Sequence, residues 1–290
     1  EAEATRFAGD LNALGIPTAV FPARDYVLRP IEGTAREYEY RRLSVLGDIV
    51  GGRLQAVCVP DEGLTQYTTP RAEFCNNTRT LHPGDTVPRT ELTALLYNAG
   101  YARRAQVDGP GQFSIRGDIV DLYAPDMKLP VRMEFWGDEI DTMHTFDLAT
   151  QRREDPIEKI YVSPAREVLF GSPAEAAELL RAFIKKFRGK KRTALEACLA
   201  TELAQLDGGA LPVNMDKYLA VRYPQPATLL DYFDDPLLVL EEPASLREAE
   251  RATIYRRGEE ISALLQDGVL AAGLDNLYAE NGYLWAQAAN

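Results

Sequence analysis

The 290-residue chain carries 44 acidic against 32 basic residues, a formal net charge of -12. Phosphate backbones are repelled over most of such a surface, so a basic protein surface suits it better as a partner than nucleic acid does. Three widely spaced cysteines, Cys58, Cys75 and Cys198, suggest neither a disulfide framework nor a zinc site and fit reduced thiols in a cytosolic protein. No apolar run is long enough to cross a membrane and no leader reads as a signal peptide. The chain opens on Glu1 inside a helical pattern, so it is expected to be a piece of a longer protein.

Residues 2 to 14 place Ala4, Phe7, Leu11 and Leu14 at helical spacing, and Gly15 supplies the C-terminal cap. Two short apolar runs, Thr18 to Phe21 and Leu54 to Val59, predict strands, with a helix from about Thr34 to Ile49 between them. That is the parallel βαβ arrangement of an α/β domain. The charged residues of the central helix, Arg36, Glu37, Glu39, Arg41, Arg42 and Asp48, read as a solvated face. Residues 23 to 33 read as a loop. A polar stretch punctuated by Pro70, Pro83, Gly84 and Pro88 reads as a linker, and Thr90 to Ala99 as a short helix.

Residues 113 to 143 then predict two β-hairpins. Val131, Met133 and Phe135 alternate with Arg132, Glu134 and Trp136, the period of a half-buried strand. Gly137-Asp138 supplies a two-residue turn, which sets Phe135 opposite Ile140 and Glu134 opposite Asp141. One face then collects Val131, Met133, Phe135, Ile140 and Thr142. The other collects Arg132, Glu134, Trp136, Glu139, Asp141 and Met143, and a turn at Gly117-Asp118 adds Arg116. An arginine, tryptophan and acid cluster on a rigid sheet has the composition of a protein-binding hot spot, and two opposed carboxylates call for a cation nearby.

A further strand near Lys159 to Val162 precedes helices over 173 to 206. The basic run between those helices, Lys185, Lys186, Arg188, Lys190, Lys191 and Arg192, reads as a solvated helix junction, with DNA binding weak at most. Residues 227 to 243 contain an apolar strand ending in Glu241-Glu242, the place where an acid binds Mg²⁺ in P-loop nucleotidases. Ser245 to Gln266 predicts a long charged helix, and Trp285 is expected in a packed interface. Neither His82 nor His144, the latter placed on the core face, belongs to a nucleophilic triad, and no spacing suggests a metal. No catalytic residue and no cofactor is therefore assigned.

The segments Phe-Ser-Ile-Arg-Gly-Asp-Ile-Val-Asp-Leu-Tyr-Ala-Pro and Val-Arg-Met-Glu-Phe-Trp-Gly-Asp-Glu-Ile-Asp resemble the signature shared by the bacterial excinuclease B protein and the N-terminal module of the transcription-repair coupling factor family. The resemblance extends over nearly the whole chain. It implies a degenerate helicase-like α/β fold, one half over 1–80 and the other over 166–290, with an inserted α+β docking domain for the excinuclease A protein at 81–165. One departure points to the coupling factor and another argues against nucleotide hydrolysis. Tyr26, Tyr38 and Tyr40 are scattered where excinuclease B carries a tyrosine-rich hairpin, and no Gly-x-x-x-x-Gly-Lys-Ser/Thr loop occurs anywhere. The acid motif is eroded as well, Glu241-Glu242 being followed by Pro243-Ala244.

The resemblance implies a non-catalytic module of a cytoplasmic bacterial protein that recruits excinuclease A and restrains its parent, an ATP-dependent translocase. The docking contacts of the family fall on Arg116, Arg132 and Trp136, with Glu134 matching an acid of excinuclease B. Other partners implied are the motor domains of the parent, and RNA polymerase through domains absent from this chain. The competing reading is a piece of an excinuclease B-like helicase that retains nucleotide or DNA binding.

Overall fold

A computed structural model describes residues 1–29 and 36–289. The end of the expected 23–33 loop and the expected start of the following helix at Thr34 lie outside those residues. Helix α1 (Ala2–Ala13) leads into β1 (Thr18–Val20), and after α2 (Glu37–Val50) the chain returns as β2 (Ala56–Cys58). The two strands pair in parallel, Thr18 opposite Ala56 and Val20 opposite Cys58, so the βαβ expectation holds. The fold is α/β with mixed sheets.

The stretch read as a linker is structured. It forms α3 (Asp61–Thr65), α4 (Arg71–Asn76) and β3 (Arg79–Leu81). Composition misled here, because single apolar residues do the anchoring: Leu64 and Phe74 are buried against Phe21, Leu43 and Leu46 from α2 and the β1 exit. Helix α5 (Arg89–Asn98) follows. Then come β4 (Ala102–Arg103), β5 (Gln112–Arg116), β6 (Ile119–Tyr123), β7 (Val131–Trp136), β8 (Glu139–Phe146) and β9 (Arg153–Pro156), neighbours in that order in a six-stranded sheet. All pairings are antiparallel except β4 with β5. Strand β10 (Ile160–Val162) pairs antiparallel with β3.

One face of the large sheet supplies Phe113, Val120, Leu122, Val131, Met133, Phe135 and Met143. These pack with Leu92 and Leu96 of α5 and with Leu81, Ile160 and Val162, a core drawn wholly from residues 81–165. Two further cores lie outside that range. One joins β1, α2 and β2 to residues 229–284, and the other is built chiefly from α6 (Pro173–Lys185), α7 (Gly189–Asp207), α8 (Leu219–Arg222) and residues 264–277. Helix α6 starts where Ser172 Oγ accepts from Glu175 N at 3.1 Å and the Glu175 carboxylate accepts from Gly171 N at 2.8 Å, closing its first turn.

The charged residues of α2 divide: Glu37 and Arg41 are exposed as expected, whereas Glu39 and Arg42 are buried. Arg42 is fully buried, donating to the Glu167 carboxylate at 2.7 and 3.3 Å and to Pro22 O and Gln66 Oε1 at 3.1 Å each. Arg24 reaches Glu167 at 3.2 Å and Asp216 at 2.7 Å, and Glu39 accepts from the Glu167 backbone N–H at 3.0 Å. Burial alone would lower the affinity of Arg24 for its proton. The opposing fields of Asp216, Glu167 and Glu39 outweigh it and hold the guanidinium above its ordinary range. Burial likewise pushes the Glu39 carboxyl up, yet Arg24, Arg166 and Arg36 bring it down to about 2. This network fastens the segment leaving β10 to α2 and to the turn at 215–218, where each charge has a partner and so avoids the desolvation penalty of a lone buried ion.

The expected strand ending in Glu241-Glu242 is absent among the described residues. Residues 236–240 are unpaired, with Leu238 and Leu240 packed inward while Leu237 and Val239 stand 90% and 71% exposed. Glu241 is exposed and 3.9 Å from Arg6. Glu242 takes a left-handed conformation, φ 47°, before α9 (Pro243–Gln266). Trp285, in α10 (Tyr283–Ala288), packs as expected: its ring lies 3.9 Å from Arg247 and its Nε1 donates to Glu250 at 2.6 Å.

Candidate protein-docking face

The face of the large sheet opposite its core is organised by two tight turns. Arg116 pairs with Ile119 across Gly117-Asp118 and Trp136 with Glu139 across Gly137-Asp138. Both glycines have positive φ, 61° and 64°, a conformation that costs most other residues a Cβ clash. Arg89 of α5 pins the first turn, donating to Gly117 O at 2.8 Å and to Asp118 at 2.6 Å. With these registers fixed, Arg116, Asp121, Arg132, Glu134 and Trp136 share one side of the sheet.

The second hairpin departs from simple alternation. Phe135 faces Ile140 as expected, but Glu134 faces Thr142, which leaves Asp141 as an extra residue in β8. One inserted residue reverses every side chain beyond it. Met143 therefore turns into the core opposite Met133, while Thr142 and His144 come to the outer face opposite Glu134 and Arg132. The expected placement of Met143 outward and of Thr142 and His144 inward is corrected accordingly, while Asp141 is exposed as expected but does not face Glu134. No pair of carboxylates is opposed: Glu134 instead accepts from Thr142 Oγ1 at 3.3 Å and forms an ion pair with Arg153 of β9.

At the centre lies a residue that the sequence pattern did not single out. Asp121 is fully buried, and its carboxylate accepts from Arg116 Nη2 at 2.6 Å and from Arg132 Nε and Nη2 at 2.6 and 3.0 Å. Once the turn is set at Gly117-Asp118, Asp121 is bound to lie opposite Ser114, so the signal was present in the register. Arg132 is held further by Gln151 O at 3.2 Å and by the Phe146 ring, 4.6 Å from its guanidinium carbon. Gln151 has φ 60°, an uncommon conformation for a residue with a side chain. The hydrogen bonds that Arg132 donates to Asp121, acting against burial, raise its pKa, so this arginine keeps its charge.

The result is a graded surface. The Arg132 side chain is 14% exposed and fixed, Arg116 is 45% exposed, and Trp136 stands 83% exposed at the hairpin tip. A buried carboxylate, two oriented guanidinium groups and a solvent-facing indole can offer hydrogen bonds and an aromatic anchor to a protein without rearranging. Glu241 and Glu242 lie outside this face.

The sequence profile described as the UvrB interaction domain matches residues 80–168. This segment is similar to the UvrB interaction domain family. The chain around it is similar to transcription-repair-coupling factors. It is 28% identical to that of Bacillus subtilis (strain 168) over 276 residues, which is 92% of this chain and 23% of the relative. It is 27% identical to that of Staphylococcus haemolyticus (strain JCSC1435) over 259 residues, 86% of this chain and 22% of the relative. The Staphylococcus aureus (strain MRSA252) protein is 26% identical over the same length. The chain thus spans less than a quarter of the length of these relatives. The resemblance read from the two hairpins is borne out, and the matched segment contains all four residues of the predicted docking set.

Proposed function

We propose that this chain is a docking module of a transcription-repair coupling factor, and that Arg116, Arg132, Glu134 and Trp136 bind the excinuclease A protein in nucleotide excision repair. The observation that carries the reading is Trp136, a large aromatic left 83% exposed on a rigid hairpin beside two arginines locked in place by a buried acid. Exposed aromatic and arginine groups that are already ordered lose little entropy on binding, which is the character of interface hot spots. The module is non-catalytic, and translocation belongs to other regions of the parent protein. The α/β remainder is read as a helicase-like half that no longer handles nucleotide, because no phosphate loop is present in the sequence and Glu241 and Glu242 do not end a strand.

The test is calorimetric titration of the chain with excinuclease A, repeated with Arg132→Ala and Trp136→Ala. Each truncation is expected to weaken binding by about 2 kcal/mol, roughly 30-fold. Wild-type affinity in both variants refutes the assignment of the face. Saturable binding of a fluorescent ATP analogue with Mg²⁺ would favour the helicase reading.

A further inference from the structure

Seven of the 32 basic residues and none of the 44 acidic ones lie between Leu179 and Leu195. The structure gathers them at one end of the α6–α7 pair. Lys185 closes α6, Lys186, Phe187 and Arg188 make the turn, and Lys190, Lys191 and Arg192 open α7. All six cations from 185 to 192 are exposed. Arg181 is paired with Asp207 and Arg192 with Glu196. Lys185, Lys186, Arg188, Lys190 and Lys191 make no ion pair with a carboxylate among the described residues. Sequence pattern assigned this run to a solvated junction, whose charges an acidic surface would be expected to neutralise. Five cations left uncompensated on a chain of net charge -12 are the opposite outcome.

The end of α7 adds to the field. Its first turn contains no acid and its N-cap, Arg188, makes no side-chain hydrogen bond to it. The free backbone N–H groups of a 19-residue helix therefore point into the same basic tip and favour anions.

We propose that this tip binds the phosphodiester backbone of duplex DNA without sequence preference. The choice among polyanions rests on what surrounds the charges. No large hydrophobic residue between Tyr161 and Leu211 is exposed, so the tip has no apolar wedge for a lipid interface and no core for a protein hot spot. It also has no aromatic platform for unstacked bases. Phe183 and Phe187 pack edge to face with centroids 5.1 Å apart, and Gly273 sits against both rings, where an added Cβ would lie 2.9 and 3.0 Å from them. What remains is charge and backbone amides, the means by which proteins hold duplex phosphates. The excess of acid elsewhere confines the contact to this tip and keeps it weak.

About four phosphate contacts give a log–log salt slope of about -3.6, so affinity should fall about 150-fold between roughly 50 and 200 mM salt. The test is fluorescence anisotropy of the 290-residue chain with a labelled random duplex of about 30 base pairs across that salt range. It is repeated for the combined variant Lys185→Gln, Lys186→Gln, Lys190→Gln, Lys191→Gln, with circular dichroism to check folding. The expected result is low-salt binding by the wild type with the stated slope, and a slope near about -1 for the variant. Absence of wild-type binding at the lowest salt overturns the proposal, as does a slope unchanged by the four substitutions. Tighter binding to a single strand, to phosphatidylserine vesicles or to polyglutamate than to the duplex overturns it equally, and the wild-type arms stand even if the variant fails to fold.

Discussion

Replacing Asp121 by Asn tests whether one buried acid organises the docking face. The carboxylate accepts three charge-assisted hydrogen bonds of 2.6 to 3.0 Å from Arg116 and Arg132. An amide keeps one acceptor but turns an N–H₂ towards a guanidinium, so at least one of those bonds is lost and Arg132 loses its counter-charge. Removing one partner of a buried pair costs about 3–5 kcal/mol. The Arg116 contact is half exposed and screened, worth about 1 kcal/mol or less. The expected loss is therefore at the lower end, about 3 kcal/mol, nearly all of it through Arg132. Urea unfolding followed by circular dichroism reads it as a lower midpoint at constant slope. A double-mutant cycle with Arg132→Met should return most of it as coupling. A loss below about 1 kcal/mol, with no coupling to Arg132, would mean that Gln151 and Phe146 hold this arginine unaided, and the reasoning would fail.

Three further outcomes follow from the geometry. Glu39 is held at about 2 against an ordinary 4.5, so the network it joins contributes its full stability above about pH 4.5 and loses it as pH falls towards 2. The difference is worth about 3 kcal/mol, and urea midpoints at neutral pH and at about pH 3 should converge more closely in Glu39→Gln than in wild type. Gly137→Val, at φ 64°, should destabilise the chain by about 1–2 kcal/mol, read as a lower thermal midpoint, whereas Asp138→Ala beside it should change little. Trp136→Ala should leave the urea midpoint within about 0.5 kcal/mol of wild type, because the side chain is exposed, so its effect on binding reports contact and not unfolding.

The docking hairpins were legible because two local signals agreed: alternation along β7 and glycine-led turns at Gly117 and Gly137. The bulge also left a trace in the sequence. Ile140 and Met143 are both apolar at an odd spacing, which a regular strand cannot bury on one face. Asp121 escaped notice because an acid between apolar neighbours reads as a solvent position until its register opposite Ser114 and Arg132 is drawn. Charge composition failed for α2, where Arg42 and Glu39 are interior only because Glu167 arrives from 125 and 128 positions away, alongside Arg24 and Asp216, themselves 192 positions apart, and no local pattern encodes such a meeting. The run Pro236 to Leu240 failed in the opposite direction. Its residues are apolar enough for a central strand, yet no neighbouring strand comes to pair with it among the described residues, and Pro236, Leu237 and Val239 face solvent.

The most direct test of the docking assignment is titration of excinuclease A into wild type, Arg132→Ala and Trp136→Ala under one set of conditions. Saturable binding by wild type, weakened about 30-fold or more in each variant while both keep the wild-type circular dichroism spectrum, is the predicted result. Equal affinity across the three proteins, or no binding by any of them, would contradict it.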